Sequence, residues 1–189
     1  MIPTLPPRAR DRLAGTILAA LHDAAARREL RLLADEVARS RQWLGDEAQH
    51  AETLRARASR ATQALSRRPI TGQADLPSLF AYPLEAALED ARLLFDAGLY
   101  FEVHELLEPH WQQATGTARQ ALQGLIQIAV GYQHLANGNL AGARSLLAEG
   151  ARRLTGCAIA GRSLDPFARQ VLVSAESGSP SIPSFPRRT

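Results

Sequence analysis

Alanine and leucine together supply 62 of the 189 residues, whereas the β-branched residues Val and Ile supply only 12. Ala and Leu lose little side-chain freedom in a helix, and Val and Ile are the residues that strands favour, so this balance predicts an all-α fold. No stretch approaches the roughly 18 consecutive apolar residues that a bilayer crossing needs, so no membrane association is expected. Residues Met1-Ile2-Pro3-Thr4-Leu5-Pro6-Pro7 carry no basic segment ahead of an apolar core, and a cytoplasmic location is the expectation. Cys157 is the single cysteine, which excludes an internal disulfide framework and a multi-cysteine zinc site; a buried, inert thiol is expected.

The formal charge of +3 is unevenly spread. Residues 1–70 hold 13 Arg against 8 acids (+5), residues 71–156 hold 5 against 9 (−4), and residues 157–189 hold 4 against 2 (+2). All 22 basic residues are Arg, a bias that weakens any one of them as the mark of a phosphate site. In the basic first third, acids interleave with the arginines and Trp43 is the only aromatic, so a solvated helix face is expected there rather than a nucleic-acid surface.

Apolar residues recur at helical spacing from Leu13 to Leu65 with no proline between Arg8 and Arg68, which predicts either one long helix or a helical hairpin. Leu44-Gly45-Asp46-Glu47 offers a C-cap glycine followed by an N-cap aspartate, the natural turn of such a hairpin. We divide the chain into a basic helical extension at 1–68, a linker at 69–82, a helical bundle at 83–175 and a disordered tail at 176–189. Three prolines and a glycine between Pro69 and Pro83 define the linker, and Ser, Pro and Arg dominate the tail. In the bundle, Gly98 and Gly138 each precede a helix with apolar residues at +2, +5 and +9. This predicts an antiparallel bundle of tetratricopeptide-like hairpins, able to fold without the first 70 residues.

The chemistry concentrates in Phe101-Glu102-Val103-His104-Glu105-Leu106-Leu107-Glu108-Pro109-His110-Trp111. On a helix, His104, Glu105 and Glu108 share one face, and a short loop makes the next helix its antiparallel neighbour. Positions whose numbers sum to about 231 then face each other, bringing Glu108 near Gln123 and His104 near Gln127, with His134 beyond. Burying such groups costs a few kcal/mol each unless they are bonded. A network fixing helix register, a small-molecule or metal pocket, and a solvated groove are the three readings left open. His104 and Glu108 are candidate ligands for a divalent metal, since imidazole and carboxylate suit zinc, iron or manganese. Structural roles fall to Trp111 as a core anchor, to Gly124 as a point of close helix approach, and to Gly98 and Gly138 as turns.

Taken together, Phe95-Asp96-Ala97-Gly98 and the His104-Glu105-Leu106-Leu107-Glu108-Pro109-His110-Trp111 run, then Leu122-Gln123-Gly124-Leu125-Ile126-Gln127, His134 and Gly138-Asn139-Leu140, resemble the domain of unknown function 309 family. Its hallmarks are a His-Glu-x-x-Glu-x-x-Trp helix and a Gln-Gly-x-Ile-Gln-x-Ala helix. The resemblance covers about residues 83–175. It implies a small antiparallel helical bundle, found in prokaryotes and plastid-bearing organisms, with no established activity. It also marks His104, Glu105, Glu108, Trp111, Gln123, Gly124, Gln127 and His134 as characteristic positions, and it carries nothing over to the basic extension.

The functional expectation is a non-enzymatic binding or interaction module, with a homodimer or protein partner engaged through the N-terminal helical arm. The alternative is a metal-dependent or hydrolase-like enzyme using His104, Glu105 and Glu108. No phosphate-binding loop or activated nucleophile accompanies them in the sequence.

Overall fold

The computed structural model describes residues 4–66, 68, 82–177 and 181–188. Helix α1 (Pro7–Ala19) opens with proline in its first turn, where the missing N–H costs nothing. The Asp23 carboxylate accepts hydrogen bonds from the Ala25 and Ala26 amides and starts α2 (Ala24–Asp35). Glu36 is extended and separates α2 from α3 (Val37–Leu44). Gly45, at φ +58°, ends α3, and a 3₁₀ turn (Gly45–His50) leads into α4 (Ala51–Leu65).

The arm is therefore more finely divided than one long helix or a hairpin of two. Helical propensity is high throughout, but local caps at Asp23, Glu36 and Gly45 interrupt it. The turn at Gly45 lies where the sequence marks one. Helices α2 and α4 pack together, α1 packs on the second helix of the bundle, and α4 reaches the first. Leu13, Ile17 and Leu54 consequently belong to the same hydrophobic core as Leu88, Phe95 and Leu107. Of the arm's apolar residues, Leu44 and Leu65 are buried within the chain while Val37 is exposed.

The bundle consists of α5 (Leu84–Asp96), α6 (Tyr100–Gln113), α7 (Gly116–Ala136), α8 (Leu140–Leu154) and α9 (Asp165–Glu176). Its two glycine turns share one hydrogen-bond pattern. Gly98 N donates to Phe95 O and Leu99 N to Leu94 O, while Gly138 N donates to Leu135 O and Asn139 N to His134 O. Both glycines have positive φ, +73° and +79°, a region costly for any residue bearing a Cβ. A two-residue antiparallel ladder, β1 (Ala158–Ile159) with β2 (Arg162–Ser163), joins α8 to α9. The all-α expectation holds, and no described helix is long and apolar enough to cross a membrane. Cys157 is buried and unpaired.

Most of the expected linker, residues 69–81, lies outside the described residues. The disordered tail is corrected for residues 181–188. Phe185 is 2% exposed, packs on Phe95 and Phe167, and its amide donates to Asp96 Oδ1 at 3.2 Å. The hydroxyls of Ser174 and Tyr132 donate to Ser181 O, and Arg188 pairs with Glu85. Ser, Pro and Arg content argues for disorder, but one aromatic residue matching an open site in a core of rings overrides it.

Candidate functional site

Helix α6 presents two chemically different faces. Val103, Leu106 and Leu107 turn into the core, and Glu102 accompanies them, fully buried. His104, Glu105 and Glu108 occupy the opposite, half-exposed side. His104 Nδ1 lies 3.1 Å from Glu105 Oε1, and its Nε2 lies 3.6 Å from Glu108 Oε2. One ligand atom from each residue falls within 4.8 Å of the others.

The two imidazole nitrogens thus meet different carboxylates, and this division has a chemical meaning. Where a carboxylate accepts from Nδ1–H, the ring is held in the tautomer whose Nε2 carries a free lone pair, and Glu105 is the carboxylate nearest Nδ1 here. Two ligand atoms each about 2.1 Å from one tetrahedral zinc ion sit about 3.4 Å apart, close to the Nε2 to Glu108 separation. Phe101, one turn earlier, lies 6.1 Å from the His104 ring and carries the Arg10 guanidinium stacked 4.2 Å above its own centroid.

The expected continuation of this cluster onto α7 takes a different form. Gln127 Nε2 donates to Glu149 Oε1 on α8 at 3.0 Å, not to His104. Hydrogen bonds from Arg153 and then from Gln127 hold the Glu149 carboxyl below its usual range. The reason lies in α7 itself. Gly124, Ile128 and Gly131 form the seam against α8, and a Cβ on Gly124 would stand 2.5 Å from Leu154 Cδ2 and 2.9 Å from Gly150 O. Gln127 is three residues along from Gly124 and follows that seam. Gly124 therefore is the point of close approach read from the sequence, and its partner is α8.

Gln123 is half-buried with no hydrogen bond among the described residues. His134 stands apart from the triad: its Nδ1 lies 2.9 Å from Asn139 Nδ2, within the Gly138 turn. Trp111 is partly buried and packs against the core, with Arg119 stacked 4.3 Å from its ring and donating to its carbonyl at 2.8 Å.

Three buried charges were not singled out by sequence reasoning. Asp90 of α5, fully buried, receives the Tyr82 hydroxyl and pairs with Arg68, and His22 Nε2 lies 3.8 Å from it. Glu102 pairs with Arg57, and the buried Arg162 pairs with Glu89. A signal was present: Asp90 stands among Ala87, Ala91 and Leu94, and Glu102 among Leu99, Val103 and Leu106. A charge on an apolar stripe implies a partner from another element.

Among known families, the one described as domain of unknown function (DUF309) matches residues 88–146, which run from α5 into α8. The resemblance read from the motifs holds over this span and includes the triad, Gln123, Gln127 and both glycine turns. No curated protein and no solved structure matches the chain.

Proposed function

Given a DUF309 domain over residues 88–146, we propose that the chain works as a non-enzymatic binding module whose ligand site is the His104, Glu105 and Glu108 face of α6. The observation that carries this reading is the convergence of three ligand-type atoms within 4.8 Å. The ligand chemistry it fits is a divalent cation held by His104 Nε2 and Glu108, with Glu105 orienting the imidazole. A cytoplasmic setting is part of the proposal. A protein partner, or a second copy, would use the exposed arm residues Leu32 and Val37, since the rest of the arm's apolar stripe is covered from within.

A second reading, a metal-dependent or hydrolase-like enzyme, is favoured by one feature: the half-exposed His104 imidazole stands between two carboxylates, the setting of a general base. Calorimetric titration of the full chain with Zn²⁺ tests the binding reading. One saturable equivalent is expected, lost in His104→Ala and weakened about 10- to 100-fold in Glu105→Gln. Equal binding by wild type and His104→Ala overturns it. Ester or phosphoester turnover by the zinc-loaded chain that disappears in His104→Ala would instead favour the enzyme.

A further inference from the structure

A cavity of about 320 Å³ opens between α2 and α4, far along the chain from the triad; its described lining is Arg27, Leu30, Arg31, Thr62, Leu65 and Ser66. Among the described residues no carboxylate pairs with Arg27 or Arg31. The Arg27 guanidinium donates only to carbonyls, those of Ala20 at 2.8 Å, Arg68 at 2.7 Å and Leu21 at 3.4 Å. Arg31, one turn further on the same helix, has no hydrogen bond or ion pair among the described residues. Two like charges at this spacing repel, and the nearby Arg68 is spent on Asp90. The pKa of Arg27 is drawn down by burial and then by Arg68 and Arg31, which is the same crowding seen from the proton's side.

The second observation concerns Thr62. Its Oγ1 is buried and has no hydrogen-bond partner among the described residues, and Thr62 is one of the residues around the cavity. A buried hydroxyl left unpaired is destabilising, a cost that an acceptor placed within its reach removes. Leu30 and Leu65, at 0% and 2% exposure, form an apolar floor beneath the cationic side.

We propose that this cavity binds a small organic phosphate, with Arg27 and Arg31 gripping the phosphate, Thr62 Oγ1 donating to one of its oxygens, and the apolar body resting on Leu30 and Leu65. Guanidinium forks match phosphate oxygens in pairs, and a dianion answers two uncompensated cations where a monoanion leaves one. The volume lies at the lower end of the range for small-molecule sites and suits an organic phosphate of modest size. The site belongs to the arm, so it is independent of the metal reading of α6.

Calorimetric titration of the full chain at low salt tests the proposal, with phenyl phosphate, inorganic phosphate and benzoate as probes. Phenyl phosphate is expected to bind one to one, about tenfold more tightly than inorganic phosphate because its own ring leaves water. Arg31→Ala is expected to weaken it at least tenfold and Arg31→Lys to restore part of the loss, since Lys returns the charge without the fork. Thr62→Val is expected to weaken it about fivefold while the melting temperature of the free protein stays level or rises, because an unpaired hydroxyl is removed.

Three results overturn the proposal: no saturable binding, binding indifferent to both Arg31→Ala and Thr62→Val, or tighter binding of benzoate than of phenyl phosphate. Asp75 is the only acid between residues 67 and 81. A wild-type chain that binds no phosphate beside an Asp75→Asn variant that does would also overturn it, by showing that the chain neutralises its own arginines.

Discussion

Arg57 reaches from α4 to the fully buried Glu102 of α6, its Nη2 lying 2.6 Å and 2.8 Å from the two carboxylate oxygens. This ion pair joins the basic arm to the acidic bundle at a point where Glu102 has no bulk water to replace its partner. Removing one partner of such a pair strands a buried charge, which typically costs about 3–5 kcal/mol. Arg57→Ala is accordingly expected to lower unfolding free energy by about that amount. The double change Arg57→Met with Glu102→Gln is expected to recover most of it. Urea denaturation followed by circular dichroism measures both, and an Arg57→Ala variant as stable as wild type would show that water reaches Glu102.

The same contact bears on domain independence. A fragment of residues 83–175 loses Arg57 from Glu102, Arg68 and Tyr82 from Asp90, and the Leu13, Ile17 and Phe185 cover of the core. Autonomous folding of the bundle, natural to expect from the proline-rich boundary, conflicts with this shared core. The fragment is expected to unfold less cooperatively and at lower denaturant than the full chain; coincident transitions would restore the bundle as a separate domain.

The α7–α8 crossing depends on the absence of side chains at Gly124, Gly131 and Gly150. A Cβ at Gly124 would meet Leu154 at 2.5 Å, and one at Gly150 would meet Gly124 O at 2.8 Å. Alanine raises helix propensity by about 1 kcal/mol, but overpacking against a backbone oxygen costs about 1–3 kcal/mol or more. Gly150→Ala is expected to be a net loss of about 1–2 kcal/mol, with Gly124→Ala similar. Gly142→Ala is a useful contrast, since its crowding comes only from the Asn139 side chain. A thermal scan that ranks Gly142→Ala below Gly150→Ala would contradict the crossing geometry.

His22 predicts a pH dependence. Burial, followed by the charges of Arg68 and Arg27, lowers its pKa from 6.5, and these cations together with Asp90 and the Tyr82 ring face it. The unfolded chain therefore takes up a proton before the folded one does. Stability from this group is present above the unfolded pKa and declines as pH falls below it toward the folded value. His110, lowered by burial alone, acts in the same direction. The drop in urea midpoint between pH 7.5 and 5.5 is expected to shrink, without vanishing, in His22→Gln; an unchanged drop would place the effect elsewhere.

Much of the candidate site was legible because it is local. His104, Glu105 and Glu108 lie within one and a half turns of one helix, so spacing alone places them together. Gln127 was assigned to the wrong partner because antiparallel register predicts which residues pass each other, not which of two neighbouring helices a side chain joins. Gly124 held the missing information, since glycine in a helix interior points to the closest neighbour, and that neighbour is α8.

Composition, cap residues and apolar period by themselves determined that the chain is helical, where the bundle helices run, and that α6 carries a convergent His-Glu-Glu face. These are properties of short segments, whose backbone preferences act without knowledge of the rest of the chain. Only the tertiary structure decided that the arm folds onto the bundle, that Phe185 closes the core, and that Asp90, Glu102 and Arg162 are buried with partners 22, 45 and 73 residues away. A charge enters a core only if a distant element delivers its counterion, and which element does so is settled by how the apolar faces pack.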